Sequence, residues 1–178
     1  LNLTGTTGST VQANLLKTGL GRVNVAGSVN LNGGVATVSQ GALGAGFAVG
    51  GVSAVNVADG ATLNLFDGAA VSLGSTILGL VNGSSLGFDL GAPGANDSII
   101  VGGGSTLGGT ITLNLNSLGG LAAGNYTLLT AGGGLDLTTW ILGTAPEGLN
   151  YKFDAVASSG QSLVLTASPI INRYFNGL

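Results

Sequence analysis

Apolar and polar residues alternate along most of this chain. Val23-Asn24-Val25, Val29-Asn30-Leu31, Val55-Asn56-Val57 and Leu63-Asn64-Leu65 carry the pattern in the first half. Ile111-Thr112-Leu113-Asn114-Leu115 and Ser162 to Thr166 continue it in the second. Each run puts β-branched or leucine side chains on one face and Asn, Ser or Thr on the other, the period of a β-strand. Glycine-bearing turns separate the runs: Asn32-Gly33-Gly34, Asp59-Gly60, Asp67-Gly68, Asn82-Gly83 and Gly102-Gly103-Gly104. No segment offers apolar residues at helical spacing for three turns. The pattern predicts an all-β protein.

Spacing narrows the class. Val23-Asn24-Val25-Ala26 recurs as Val55-Asn56-Val57-Ala58, and Leu31-Asn32 recurs as Leu63-Asn64, both at an offset of 32 residues. Repetition at this scale points to stacked coils. The expectation is a right-handed parallel β-solenoid whose inward stack includes Val23, Val25, Val55, Val57, Leu63 and Leu65. Outward Asn, Ser and Thr would form ladders, and Gly would turn the corners. An antiparallel β-sandwich or jelly roll is the alternative, since it too alternates and turns on glycine. Residues 1–85 read as about two 32-residue units. Residues 86–178 read as a continuation ending in a C-terminal capping and assembly section, because Tyr126, Trp140, Tyr151, Phe153, Tyr174 and Phe175 gather there. A hairpin of Tyr151–Phe153 with Ser162–Leu165 is expected within it.

Composition supports a thin, repetitive core. Only 6% of residues are charged, against about 25% in an average domain, and 35 are glycine. Bulky side chains are too few to fill a globule. The charge-poor stretches Val23 to Ala58 and Ser98 to Leu135 are broken by Gly and Asn every few residues, so no membrane span is expected. Aromatics at 5% are too sparse for the girdles of an outer-membrane barrel. With no Cys and no His, thiolate chemistry and histidine-based catalysis or metal binding are excluded. Four Lys and Arg cannot build a phosphate-neutralising face, so no nucleic-acid partner is expected. A chain starting at Leu1 without a signal peptide reads as a processed segment of an exported protein.

Leu15-Leu16-Lys17-Thr18-Gly19-Leu20-Gly21-Arg22-Val23-Asn24-Val25 resembles the opening of the autotransporter-associated β-strand repeat. Gly33 to Gly44 is similar to its glycine turn and second strand, and Asn56 to Leu65 to its closing strand. Leu86 to Gly94 and Gly119 to Leu129 are similar to the end region of large repeat-bearing bacterial surface proteins. The resemblance covers roughly residues 11 to 166. It implies an exported, displayed parallel β-helix with no catalytic residues. The chain departs from the family in carrying no translocator barrel and only about two repeat units.

Few residues carry candidate chemistry. Asp89 with Asp97, or Asp136 with Glu147, could form a carboxylate pair. Nearly every acid, however, sits in a glycine-rich turn, where a short carboxylate usually accepts backbone N–H groups. No enzymatic activity and no required cofactor are expected. Asp89, Asn96 and Asp97 are a weak Ca²⁺ candidate, because three side chains fall short of six oxygens. Asn2, Asn82, Asn96 and Asn125 open Asn-x-Ser/Thr sequons, at the frequency this composition gives by accident. Lys17 and Arg22 are expected as solvated charges at an exposed rim, and Trp140 as a packing residue.

The C-terminal segment after Pro169 is more pointed. Ile170, Ile171, Tyr174 and Phe175 make a short apolar strand that could close its own sheet or pair with a neighbouring subunit. The expected function is a non-catalytic extracellular structural protein, a fibre or surface-layer subunit joined head to tail by terminal strands. A stalk or adhesin binding surface glycans is the alternative, which an exposed row of aromatics would favour.

Overall fold

Strands of three to eight residues form because inward positions alternate with outward ones and glycine-bearing turns interrupt many of the runs. The computed structural model describes residues 12–47, 51–65, 70–74, 76–135, 138–156 and 162–171. Among the described residues, sixteen strands fall into three sheets that wind as a β-solenoid of about four turns. The first face holds β1 (Leu15–Lys17), β3 (Gly34–Val38), β5 (Val52–Val57), β8 (Ile77–Leu80) and β11 (Ser105–Leu107). The second holds β2 (Arg22–Val29), β4 (Ala42–Phe47), β6 (Thr62–Asn64), β9 (Ser85–Leu90), β12 (Thr110–Ser117) and β14 (Thr139–Leu142). The third holds β7 (Ala70–Gly74), β10 (Ser98–Val101) and β13 (Gly124–Thr130), then β16 (Ser162–Pro169) and β15 (Leu149–Val156).

Pairing is parallel throughout the first two faces. β7, β10 and β13 are parallel too. Two face-packed antiparallel sheets, the alternative open from sequence, are thereby ruled out. Antiparallel strand pairing enters at the end of the third face, where β16 runs against both β13 and β15, and one isolated antiparallel bridge joins Leu90 to Asn96. The expected hairpin is present, with Phe153 opposite Leu165 and Tyr151 opposite Ala167.

The core is a set of columns. On the second face Val23, Leu43, Leu63, Leu86, Leu113 and Leu142 are successive partners. On the first, Lys17, Val38, Val57, Leu80 and Leu107 are. The middle members, Leu43 through Leu113 and Val38 through Leu80, are buried. Each buried leucine contributes about 1.5–3 kcal/mol of transfer free energy before the entropic cost of ordering. Of the expected inward stack, Val55, Val57, Leu63 and Leu65 are buried. Val23 and Val25, on the outermost strand of their face, are half-buried against the core.

The 32-residue recurrence does not mark one turn. Val23 lies in β2 on the second face and Val55 in β5 on the first, so the offset joins different faces. Both faces feed one core with the same strand motif, which is why the motif repeats out of step with the winding. The true step grows along the chain. It is 20 residues from Val23 to Leu43, 23 from Leu63 to Leu86, 27 from Leu86 to Leu113 and 29 from Leu113 to Leu142. The cross-section therefore widens toward the C-terminus. Residues before Arg22 on the same face enlarge in parallel, since register aligns Gly21, Gly41, Ala61, Ser84, Ile111 and Trp140.

Corners between the first and second faces use one glycine per turn at positive φ: Gly19, Gly41, Gly60, Gly83 and Gly109, between +64° and +83°. That backbone region is costly for any residue with a Cβ. The same corner holds a correction. Lys17 is not a solvated rim charge: it is 7% exposed, and its Nζ donates to the carbonyls of Thr18 at 2.9 Å, Gly19 at 2.7 Å and Gln40 at 3.0 Å. Lys17 stands in the inward column, so its stem covers the end of the core while its ammonium reaches the corner carbonyls. Arg22 is exposed as expected and donates to Asn24 Oδ1 at 2.7 Å.

Candidate assembly surface

Asparagine and glycine alternate beside the leucine column. Asn24, Gly44, Asn64, Gly87, Asn114 and then Gly143 occupy one outward position in successive turns of the second face. The asparagine reaches toward the next turn, where only glycine leaves room. A Cβ on Gly87 would overlap Asn64 Oδ1, and one on Gly143 would overlap Asn114 Oδ1. The same contact joins Asn30 to Gly51, Asn56 to Gly79, Asn82 to Gly109 and, with a carboxylate, Asp59 to Gly83. Where the amide after the glycine is free, the asparagine takes it. Asn14 Oδ1 accepts Val35 N at 2.8 Å, Asn82 Oδ1 accepts Thr110 N at 2.9 Å and Asn114 Oδ1 accepts Thr144 N at 3.0 Å. In all three the donor amide lies one turn after the asparagine that accepts it.

The second face is open at both ends among the described residues. β2 is its first strand and β14 its last. Thr139 N and Gly143 N both donate back to the preceding turn, to Gly109 O and Leu113 O. Strand alternation therefore directs the amides and carbonyls of Trp140 and Leu142 away from β12. Ile141 and Leu142 are 43% and 40% exposed, although Leu142 continues a column buried everywhere between its two end members. Trp140 is half-buried against the core, its Nε1 donating to Leu135 O at 2.9 Å, in line with a packing role. Beyond Pro169, Ile170 and Ile171 are exposed, at 49% and 77%. Tyr174 and Phe175 lie outside the described residues.

The acidic turn is engaged with its own backbone. Asp97 is buried and its Oδ2 accepts Asp89 N at 2.7 Å. Asn96 Nδ2 donates to Asp97 O and Thr127 O, at 2.7 and 3.0 Å, and Asn116 Nδ2 donates to Asp89 Oδ1 at 3.1 Å. None of these is the side-chain bond to the amide two residues on that defines an Asx turn; the carboxylates instead take an amide across the turn and an asparagine from the neighbouring strand. Among the described residues no group of three or more acidic, His or Cys side chains could hold a metal ion. Asp136 lies outside the described residues, and Glu147 is exposed in a turn. Tyr126 is fully buried, its hydroxyl donating to Ala122 O at 2.7 Å. Tyr151 donates to Pro146 O at 3.0 Å. Burial, with Tyr126 nearby as the smaller cause, raises the Tyr151 pKa above its ordinary value of 10.0.

Two parts of this surface escaped the sequence reading: the Leu142–Gly143 edge and the Asn–Gly alternation. A signal existed. Val23-Asn24, Leu43-Gly44, Leu63-Asn64, Leu86-Gly87, Leu113-Asn114 and Leu142-Gly143 are dipeptides of one kind, hidden by unequal spacing. No helix among the described residues is long and apolar enough to cross a membrane. No family model matches the chain, and no curated protein matches it.

Proposed function

We propose that the chain is a non-catalytic extracellular structural protein, a subunit that assembles end to end into a fibre or surface layer. The observation that carries this reading is the second face, whose parallel ladder ends, among the described residues, in an open edge strand at each end, β2 and β14. Unpaired strand edges are templates for further pairing. An end-to-end contact between unlike edges does not close on itself, so it propagates. Low charge does little to keep the ends apart, with four cations and seven anions in 178 residues. Ile170 and Ile171 add apolar surface beside the hairpin of the third face. The resemblance to exported β-helical repeats agrees with a surface location.

The adhesin reading loses its main support. Every aromatic whose side chain is described, Phe47, Phe88, Tyr126, Trp140, Tyr151 and Phe153, is buried or half-buried, so no exposed aromatic row offers a sugar platform among them. Negative-stain electron microscopy of the purified chain tests the proposal. Filaments or sheets of uniform width are expected as concentration rises. Particles that stay single at every concentration would sink it.

A further inference from the structure

We propose that the joint between subunits is a continuation of the second face: β2 of one copy seats on the open edge of β14 of another, with Val23 over Leu142 and Asn24 over Gly143. The inference rests on the end-to-end reading above and specifies its contact. Three columns of the face meet in phase at that register. The outward column begins at Asn24 and ends at Gly143. A following copy therefore continues Asn114, Gly143, Asn24, Gly44 without placing asparagine on asparagine. Had the column ended on asparagine, the same stacking would put two amide side chains where every turn has room for one.

The inward column behaves likewise. Leu142 is exposed at one end and Val23 half-covered at the other, and each is the apolar neighbour the other lacks. The third column is complementary in volume. Trp140, its largest member, would lie under Gly21, and no atom comes within 4 Å of where a Gly21 Cβ would stand. Backbone polarity also agrees. The ladder donates the amide of Ala42 to Gly21 O and that of Thr62 to Gly41 O. Extending that pattern sends Arg22 N to Trp140 O and Asn24 N to Leu142 O of the neighbour, the carbonyls β14 directs outward. Among the described residues the first face stops one turn earlier, at β11, where Ser105 Oγ donates to Gly133 O of the following segment, and the third turns antiparallel at β16.

The chain has no cysteine, so introduced thiols report without background. Val23→Cys and Leu142→Cys would be made singly and together and bridged with a short bis-methanethiosulfonate. The two single variants, mixed, should give covalent dimers, and the double variant a ladder of multimers on a denaturing gel. Val23→Cys mixed with Ile141→Cys should give at least tenfold less dimer, because Ile141 points to the opposite side of the strand. A second variant, Leu142→Pro, removes an amide that β12 does not use. It should keep the circular dichroism and melting temperature of the parent while the sedimenting fraction falls at least tenfold. Filaments in the microscope without a 23–142 bridge, or filaments surviving Leu142→Pro, would overturn this joint and leave end-to-end assembly standing by another contact. Bridging confined to one chain would show that the chain covers its own edge, and overturns it too. Neither filaments nor bridges would overturn both readings.

Discussion

Ser84 occupies the column that runs from Gly21 to Trp140, one turn above Ala61. Its side chain is fully buried, and its hydroxyl finds no hydrogen-bond partner among the described residues. An unmet buried hydroxyl costs about 1–3 kcal/mol. Ser84→Ala removes it and reproduces the residue that the turn below already packs. Urea unfolding should show a gain of about 1 kcal/mol, and a loss of stability would mean that the hydroxyl has a partner. Lys17 is the opposite case, a buried cation with all three of its donors used. Lys17→Met keeps most of the apolar stem over Val38 but surrenders the three carbonyls at the corner. The expected loss is about 2 kcal/mol, since hydrogen bonds to charged groups are worth about 1.5–3. An unchanged urea midpoint would show that the stem, not the ammonium, holds that corner.

Strands lock to their neighbours through the asparagine–glycine contact as much as through the ladder. Gly87→Ala would push a methyl group into Asn64 Oδ1, in a backbone conformation that alanine otherwise tolerates. Overpacking of this kind costs about 1–3 kcal/mol. In the double variant Asn64→Ala, Gly87→Ala the clash has no second partner. Its stability should exceed the sum of the single changes by about 1 kcal/mol or more, and simple additivity would remove the contact from the account. At the last hairpin, Tyr151 supplies a pH handle. Its pKa is raised in the folded chain, so the folded state holds the phenol proton more tightly than the unfolded state does. That contribution is complete below the unfolded value of 10.0 and is lost as pH rises through the folded value. Thermal melts of the parent should therefore decline faster above pH 10.0 than those of Tyr151→Phe, and parallel declines would contradict the assignment. Strand class, the Tyr151–Phe153 hairpin and four members of the inward stack were legible in the sequence, because alternation and aromatic clustering are local signals. Winding period and Lys17 were not. The first is masked by turns of unequal length, and the second depends on carbonyls brought in from Gln40, a full turn away.

Across the whole molecule the turns are nearest-neighbour units, and in such a stack removing a unit should cost little beyond its own interfaces. Here the alternation adds a parity rule. Deleting residues 43–62 joins Ala42 to Leu63, which occupies Leu43's place one turn later, so the backbone can close over the gap. That deletion also stacks Asn24 directly against Asn64, two side chains in a position built for one. Deleting residues 43–85 instead joins Ala42 to Leu86, removes two turns of the second face and restores Asn24 beneath Gly87. Loss of buried core alone would make the second variant the weaker, because it removes Leu43, Leu63, Val55 and Leu78 together. The widening of the cross-section works against it as well, since a 20-residue turn would then meet a 27-residue one. If column phase governs stacking, the longer deletion should nevertheless melt higher than the shorter one in matched thermal scans. The opposite order would show that the turns are held by apolar area alone. It would also weaken the case for a subunit joint set by the same phase.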